Sequence, residues 1–259
     1  MSPPSPLSRQ PALTAVADDL LLGAHDPETV PTPPAKPRGS TLRVVAGCCT
    51  QSETSRLFNR RVAANDARRY RRRGLAGTEC TLLELAGDVR GSSVLDVGGG
   101  IGAIDLELLQ AGAARATSIE LSGAYETEAE ALLAERGFAD RVDRRVGDFV
   151  ADGASVEQHD IVVLHRVVCC YPDVDSLIGE AADHTRRTLL LTYPQDRSII
   201  RVGARVFNLG LRLSRCGFRT YAHRVDRIVS VATQHGLTLE TRTRAGVLWE
   251  SAALSRTDS

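Results

Sequence analysis

The sequence of 259 residues has few aromatic side chains and no long apolar run. Phenylalanine, tryptophan and tyrosine together make up 4% of the chain, with a single tryptophan. No segment reaches the roughly 18 consecutive apolar residues that a bilayer-spanning helix needs. The first residues also lack the basic-then-apolar order of a secretory signal, so we expect a cytoplasmic protein.

An excess of charge of either sign is also missing. The 32 lysine and arginine residues balance 32 aspartate and glutamate residues, and Lys36 is the only lysine. Without a global field, general attraction to nucleic acid or to an anionic surface is not expected. An apolar content of 42% and a charged content of 25% are typical of a globular protein, and the length accommodates one α/β domain with extensions.

Cysteine spacing argues against a metal centre. The six cysteines are Cys48, Cys49, Cys80, Cys169, Cys170 and Cys216. They lack the C-x-x-C spacing of zinc sites and redox pairs. We therefore predict free, mostly buried thiols and no bound metal.

The most informative stretch is a glycine-rich segment that follows an apolar strand. The strand carries Asp96 near its end, and a helix-like run over residues 103–110 follows. The glycines between them are Gly98, Gly99, Gly100 and Gly102. Open α/β sheets bind ligands where bare backbone lies at the carboxyl ends of parallel strands. We predict a cofactor-binding loop here.

Asp96 distinguishes between two cofactors. The glycine spacing also fits the dinucleotide fingerprint, with Ala103 in the last place. A pyrophosphate beside the Asp96 carboxylate would meet like-charge repulsion that costs several kcal/mol. S-adenosylmethionine carries an ammonium and a sulfonium group and no phosphate, so a nearby carboxylate favours it. We predict S-adenosylmethionine as the cofactor, and NAD is the alternative that the glycines leave open.

Three further strand ends supply candidate cofactor contacts. Glu120, with Leu121 beside it, ends the second strand and is suited to accept hydrogen bonds from ribose hydroxyls. Asp148 and Phe149 follow the third strand, where a carboxylate can accept from the adenine amino group and a ring can stack on its face. His165 at the end of the fourth strand is a further candidate contact.

Residues 96–102, Glu120 and residues 147–149 resemble the motifs of class I S-adenosylmethionine-dependent methyltransferases, over roughly residues 78–259. The resemblance implies a three-layer Rossmann-like α/β fold, with a mostly parallel seven-stranded sheet and an antiparallel C-terminal edge strand. It also implies that Gly98, Gly100 and Asp96 hold the methionine part of the donor and that Glu120 holds the ribose.

Strand-like and helix-like segments alternate along this region. Strands are predicted over residues 93–97, 116–120, 142–147, 160–165 and 188–192. Helices lie between most of them, which predicts right-handed crossovers and a parallel sheet. After a helix over residues 225–235, the runs at 238–244 and 246–253 predict a hairpin that supplies the antiparallel strand.

The chain divides into three predicted parts. Residues 1–40 are rich in proline and serine and are predicted to form a disordered tail. Residues 41–77 are predicted to form an N-terminal helical arm or lid, with an arginine-rich helix over residues 53–74. Residues 78–259 form the methyltransferase domain. Within it, residues 194–223 are long for a connection, and we expect a helix over residues 199–213 that forms a second wall of the substrate pocket.

The methyl acceptor is expected beyond the fourth strand. That segment lacks the Asn/Asp-Pro-Pro-aromatic motif that amine and base methyltransferases often place there, which argues against N-methylation. His165 is a candidate general base, because an imidazole titrates near 6.5 and such help is worth ~10²–10⁴ in rate; a pocket wall is the alternative role. Tyr70 in the arm is a second catalytic candidate. The predicted substrate contacts are Tyr70, Arg166, Cys170, Tyr171 and Tyr193.

Two segments resemble one group of methyltransferases more narrowly. Residues 70–74 and the Val-Val-x-x-Tyr-Pro pattern at residues 167–172 resemble magnesium-protoporphyrin IX O-methyltransferases. Cys170 stands where we would align the histidine of that group. This resemblance implies esterification of a carboxylate, for which arginines are suitable partners.

Together these patterns predict an S-adenosylmethionine-dependent methyltransferase that acts on a carboxylate or hydroxyl of a small molecule. Two alternatives remain open at this point. The glycine spacing alone permits an NAD-linked oxidoreductase. The arginines of residues 56–73 permit a methyltransferase that binds the phosphates of a nucleic acid.

Overall fold

A computed structural model describes residues 57–214 and 216–256. The predicted tail, the part of the predicted arm before residue 57, and the vicinal pair Cys48 and Cys49 lie outside the described residues.

The described residues contain a sheet of seven strands. The strands are β1 (Ser93–Val97), β2 (Arg115–Glu120), β3 (Val142–Val146), β4 (His159–His165), β5 (Thr185–Pro194), β6 (Leu237–Arg244) and β7 (Trp249–Arg256). Their order across the sheet is β3-β2-β1-β4-β5-β7-β6. β1 to β5 run parallel, and β7 pairs antiparallel with both β5 and β6. The predicted mostly parallel, Rossmann-like sheet is confirmed. The antiparallel strand, β7, lies one place in from the edge, which β6 forms.

Helices cover both faces of this sheet. They are α1 (Arg60–Arg73), α2 (Thr78–Ala86), α3 (Ala103–Gln110), α4 (Glu126–Arg136), the single turn α5 (Phe149–Asp152), α6 (Val174–Asp183), α7 (Ser198–Leu213) and α8 (Val225–Gln234). α7 lies where helical spacing predicted it. Among the described residues, no helix combines the length and the apolar character that crossing a bilayer requires.

Both faces of the central strands are buried. In β1 and β4, Leu95 and Val162 pack in one apolar cluster, whereas Val94 and Val163 pack in another on the opposite face. Successive side chains of a strand point to opposite faces, so two clusters on alternating residues require cover on both sides. This is the three-layer arrangement of a doubly wound domain, and it leaves the carboxyl ends of the strands as the open edge.

α1 packs beside that open edge. Its first turn is capped by the side chain of Asn59, which accepts hydrogen bonds from the backbone N–H groups of Arg61 and Val62 at 3.0 and 3.3 Å. Its buried residues are joined to side chains of α3 and α4 in a third apolar cluster. Because this helix packs on the two helices that follow β1 and β2, it forms a wall beside the glycine loop.

Candidate functional site

A cavity of about 400 Å³ lies at the carboxyl ends of β1, β2 and β4. The predicted cofactor residues that line it are Asp96, Gly98, Gly99, Gly100, Glu120, Leu121, Asp148, Phe149 and His165. Gly102 lies behind the wall, where it is the N-cap of α3 and donates its backbone N–H to the carbonyl of Gly99 at 2.8 Å. The predicted glycine loop therefore forms one wall of a cavity.

Gly98 and Gly99 are required by close packing. A Cβ on Gly98 would lie 2.5 Å from Cγ2 of Val167, in the segment after β4. A Cβ on Gly99 would lie 2.6 Å from the Ser118 hydroxyl oxygen and 2.7 Å from a carboxylate oxygen of Asp96. The backbone of the loop can thus approach both the Asp96 carboxylate and the cavity because side chains are missing.

Asp96 is a buried carboxylate without hydrogen-bond partners among the described residues. Its side chain is 1% exposed, and neither carboxylate oxygen accepts a hydrogen bond there. Burial raises the pKa of Asp96 well above its ordinary value, neighbouring Asp105 raises it further, and Arg144 opposes the shift. A cationic ligand at this cavity wall, such as one that carries the ammonium and sulfonium groups of S-adenosylmethionine, would favour the charged form of this unsatisfied carboxyl group, whereas a diphosphate would disfavour it.

Glu120 connects the second strand to the glycine loop. One carboxylate oxygen accepts the backbone N–H of Gly100 at 3.0 Å, and the other accepts that of Ser122 at 2.8 Å. Each carboxylate oxygen has two lone pairs, so acceptor capacity remains for a ribose hydroxyl. The structure therefore adds a role in holding the loop to the predicted ribose contact, which stays a prediction.

Arg144 on β3 is a site residue that the sequence did not reveal. Its side chain is 6% exposed and donates to the Gly100 carbonyl at 2.9 Å, to Glu126 at 2.8 Å and to the Ser118 hydroxyl at 3.2 Å. In the sheet, Asp96 is in register with Ser118, and Ser118 with Arg144. Arg144 thus lies in the same cross-strand row as the buried Asp96. Its hydrogen bond to the Gly100 carbonyl fixes the glycine loop.

The buried carboxylates behind the loop make stability depend on pH. Burial raises the pKa of Asp105 from 3.8 to about 7, with Arg144 opposing the shift. Between these two pH values the folded protein keeps a proton that the unfolded chain has released, so this group lowers the free energy of unfolding as pH rises from about 4 to 7. We expect Asp105→Asn to stabilise the protein more at pH 8 than at pH 5, by roughly 2–4 kcal/mol. Urea unfolding of both proteins at the two pH values measures this difference, and a difference that does not change with pH would contradict it.

The two residues predicted to contact adenine, Asp148 and Phe149, are already engaged with neighbouring residues. The Asp148 carboxylate caps α5 by accepting the backbone N–H of Val150 at 3.0 Å, and it accepts the hydroxyl of Tyr171 at 3.3 Å. Phe149 contacts the His184 ring edge-on, with centroids 5.5 Å apart. Tyr171, predicted to contact the acceptor, also lines the cavity, and its hydroxyl points to Asp148.

His165 lies in the cavity wall as a neutral imidazole. Its Nε2 is 2.8 Å from the Thr78 hydroxyl oxygen at the start of α2. Burial lowers the pKa of His165 to about 3, and the positive charges of Arg166 and Arg69 act in the same direction. A general base is most effective when its pKa lies near the working pH. These surroundings favour the alternative of a pocket wall over the predicted base.

Arg166 follows His165 in an unusual backbone conformation. It has a φ of 60°, the only positive φ of a non-glycine residue among the described residues. Its guanidinium carbon lies 4.3 Å from the ring centroid of Trp249, and both residues line the cavity. Backbone strain of this kind persists only where the surroundings enforce it, and it is frequent at functional sites.

Cys170 also lines the cavity, together with the preceding Cys169. Their sulfur atoms lie 3.5 Å apart, and Cys169 donates to the carbonyl of Arg166 at 3.2 Å. Cys80, Cys169, Cys170 and Cys216 are free thiols. Within residues 57–214 and 216–256 there is no group of three or more histidine, cysteine or acidic residues that could hold a metal ion.

Tyr70 and Tyr193 do not lie where a substrate contact requires. Tyr70 lies on the buried side of α1. Its hydroxyl donates to Glu107 on α3 at 2.8 Å, and the residue is not part of the cavity lining. Tyr193 is buried in the core cluster beside Leu191, also outside the cavity lining. Neither ring lines the cavity in this arrangement, and the roles predicted for both tyrosines stay predictions.

Comparisons with known proteins agree with the site. Residues 95–188 match the family model of a methyltransferase domain. No curated protein matches the chain in sequence. Among solved structures, a magnesium protoporphyrin IX methyltransferase from Synechocystis PCC 6803 with bound SAH is 19% identical with a TM-score of 0.60, over 80% of this chain and 99% of that chain. The same protein has a structure with bound SAM.

Two further structures are similar over most of this domain. An O-methyltransferase family protein from Burkholderia thailandensis is 15% identical with a TM-score of 0.56, over 70% of this chain and 56% of that chain. An S-adenosylmethionine-dependent methyltransferase from Mesorhizobium loti is 12% identical with a TM-score of 0.53, over 68% of this chain and 96% of that chain. At these identities the likeness shows the fold alone. The chain has the fold of S-adenosylmethionine-dependent methyltransferases, and its central residues 95–188 match a methyltransferase domain.

Proposed function

We propose that the enzyme methylates a carboxylate of a small molecule, with formation of a methyl ester. The observation that carries this proposal is the pair of Arg166 and His165 in the cavity wall: the arginine stacks on Trp249, and burial lowers the pKa of the histidine to about 3. When bound, S-adenosylmethionine supplies a methyl group that is already activated on a sulfonium. The chain's own residues then have to bind and orient the acceptor, and to exclude water.

The lowered pKa of His165 favours a carboxylate acceptor over a hydroxyl acceptor. A phenol titrates near 10, so it has to lose a proton before or during attack, whereas a carboxylate with a pKa near 4 is already ionised at neutral pH. His165, with its pKa lowered to about 3, is too weak a base for a hydroxyl, and it is the only histidine that lines the cavity among the described residues. An acceptor that needs no deprotonation fits this wall better.

Arg166 is suited to bind that carboxylate. Its guanidinium stacks on the Trp249 ring and makes no hydrogen bond or ion pair with another described residue, and the Asp66 carboxylate in the same cavity lies close enough for their charges to interact. Stacking fixes the plane of the group and leaves its in-plane N–H donors available, and these match a carboxylate in a bidentate pair. Arg69 on α1 also lines the cavity, although Glu79 pairs with it at 3.4 Å.

Two aromatic rings from segments distant in sequence meet at the cavity wall. Phe58, just before α1, and Phe218, after α7, meet edge to face with ring centroids 5.7 Å apart, and both line the cavity. The carbonyl of Phe58 accepts the hydroxyl of Ser122, which fixes the start of the arm beside the Glu120 turn. These contacts support the proposal that the arm and residues 194–223 exclude water from the transfer, where opposite charges are neutralised.

The chemical stability of the product tests the acceptor class. We expect incubation with methyl-labelled S-adenosylmethionine and extract of the host cell to give a labelled small molecule that releases its label as methanol in mild alkali, because methyl esters hydrolyse there. Label that resists alkali, as in a methyl ether or a methylamine, would overturn the ester.

Variants at two arginines test the binding group. Arg166→Met should lower the transfer rate at limiting extract by about 10–100-fold, the range of a lost charge-assisted pair, with donor affinity unchanged by calorimetry. Arg72→Met on the exposed face of α1 is the matched control and should transfer normally. Equal rates for the two variants would remove Arg166 from the acceptor site.

A further inference from the structure

The helix α7 exposes an apolar face that no other described residue covers. The residues of this α7 apolar face are Ile199, Val202, Val206, Leu209 and Leu213. Each is between 53% and 77% exposed, and no residue of this helix of 16 residues is buried. Positions three and four apart share one side of a helix, so these five side chains form one continuous stripe.

The opposite side of α7 holds the helix to the domain. Asn208 donates to the carbonyl of Thr220 at 2.7 Å and accepts the backbone N–H of the same residue at 2.8 Å. The Thr220 hydroxyl in turn donates to the carbonyl of Cys169 in the cavity wall at 3.2 Å. At 100° per residue, Asn208 lies roughly opposite the α7 apolar face, so this tether turns the stripe away from the protein.

The charge of α7 is of one sign. Arg201, Arg205 and Arg212 lie on the helix, and no aspartate or glutamate occurs between Ser198 and Leu213. Arg201 pairs with Asp196 just before the helix, whereas Arg205 and Arg212 lie beside the apolar stripe. The chain as a whole has no net charge, so this is a local concentration of positive charge on one amphipathic element.

A second apolar element lies beside the start of α7. Val247 and Leu248, in the turn between β6 and β7, are 83% and 55% exposed. Gln195, three residues before α7, donates its backbone N–H to the carbonyl of Leu248 at 2.9 Å and its side-chain amide to that of Val247 at 3.0 Å. This hairpin tip is therefore held next to the N-terminal end of the helix.

We infer that the α7 apolar face and the hairpin tip dock the enzyme on an anionic lipid surface. An amphipathic helix with a wide apolar side and arginines along its border lies in the interface plane of a membrane, with the apolar side among the acyl chains and the arginines at the headgroups. Positive charge without any acid complements anionic headgroups. In an antiparallel pairing with a second copy, the same arginines would face each other without a carboxylate partner, so a lipid surface fits the charge better.

Docking in this way places the cavity at the membrane. Trp249, which lines the cavity, directly follows the hairpin tip, and Phe218 belongs to the segment that tethers α7. The inference concerns where the enzyme acts and does not depend on whether the acceptor is a carboxylate. It does imply that an acceptor dissolved in lipid reaches the cavity without crossing water.

Vesicle flotation of the full chain tests the inference. We expect the chain to float with vesicles of phosphatidylcholine and phosphatidylglycerol, and to float weakly with phosphatidylcholine alone. Raising the salt to about 1 M, where the Debye length falls to about 3 Å, should weaken the anionic binding. Val206→Glu with Leu209→Glu should lower the bound fraction by roughly tenfold or more, because two charges enter the apolar side.

A matched control distinguishes the loss of the α7 apolar face from a general effect of two added negative charges on vesicle binding. Thr233→Glu with Gln234→Glu adds the same two charges at exposed positions of α8 and should float as the unchanged protein does. Donor binding by calorimetry should be the same in all three proteins, since none of these residues lines the cavity. Arg205→Gln with Arg212→Gln should remove the preference for anionic vesicles.

Three outcomes would overturn the inference. The first is a chain that does not float with anionic vesicles. The second is equal flotation of the α7 and α8 double variants. The third is a dimer by light scattering that Val206→Glu with Leu209→Glu converts to a monomer in the absence of vesicle binding, which would assign the α7 apolar face to a second copy.

Discussion

Replacing Gly98 by alanine should reduce binding of S-adenosylmethionine by about 100-fold or more, whereas Gly91→Ala should leave it nearly unchanged. Both glycines have a φ of 72°, so both variants carry the same backbone penalty of about 1–2 kcal/mol. The two positions differ in the room that is available for a Cβ atom. A Cβ at Gly91 meets nothing within 4 Å, but at Gly98 it lies 2.5 Å from Cγ2 of Val167.

The clash at Gly98 cannot be relieved without moving the wall of the cavity. Val167 packs against the main apolar cluster and also lines the cavity, so the side chain has little room to retreat. The alternative is a shift of the glycine loop, whose Gly98 N–H is bonded to the Ile119 carbonyl at 2.7 Å. Titration calorimetry of the two variants gives the comparison, with thermal unfolding as a check on folding. Equal affinities for the donor would show that the loop tolerates a side chain at Gly98.

That the residues predicted to bind the cofactor line one cavity was predictable from the sequence, because their convergence depends on topology. Asp96, Glu120 and His165 each lie at or near the end of a strand, and the carboxyl ends of parallel strands meet at one edge of a sheet. Only the alternation of strands and helices has to be right for these residues to come together. For the same reason the glycine loop, which directly follows the first strand, lies in the predicted place.

The two tyrosines lie outside the cavity lining because the direction of a side chain depends on the period of its helix or strand. Tyr70 follows Ala63 and Ala67 on one side of α1, and all three are buried. Tyr193 follows Leu191 two residues later on β5, so it points into the same apolar cluster. The sequence contained this signal in both cases, and the alternation would have placed both rings in the core.

Neither the lowered pKa of His165 nor the role of the buried Arg144 could be predicted from the sequence. The pKa of His165 depends on burial and on Arg69, which comes from a helix 96 positions earlier in the chain. Arg144 lies on a strand where the neighbouring Asp143 and Arg145 are exposed, so its local pattern is that of a surface strand. Its role follows from the register between three strands, which no local pattern records.

Replacing Arg144 by methionine should destabilise the protein by about 3–5 kcal/mol, the usual cost of removing one partner from buried charges. The guanidinium donates hydrogen bonds to Glu126 and to the Gly100 carbonyl. Its charge also opposes the rise that burial causes in the pKa values of Asp96 and Asp105. Methionine keeps most of the length of the side chain but leaves these carboxylates without their cation. Donor affinity should fall as well, because the Gly100 carbonyl is no longer held.

The pH dependence of this loss distinguishes the charge of Arg144 from its packing. Without the cation, the pKa values of Asp96 and Asp105 rise further, so the folded variant keeps protons to a higher pH than the unfolded chain does. The destabilisation by Arg144→Met should therefore be larger at pH 8 than at pH 5. Arg145→Met is the control, because its pair with Asp143 is exposed and worth about 0–1 kcal/mol. Urea unfolding that gives Arg144→Met the same loss at both pH values would mean that the arginine stabilises the site by packing alone. A loss that grows with pH would establish that one cation balances the carboxylates on which the donor loop rests.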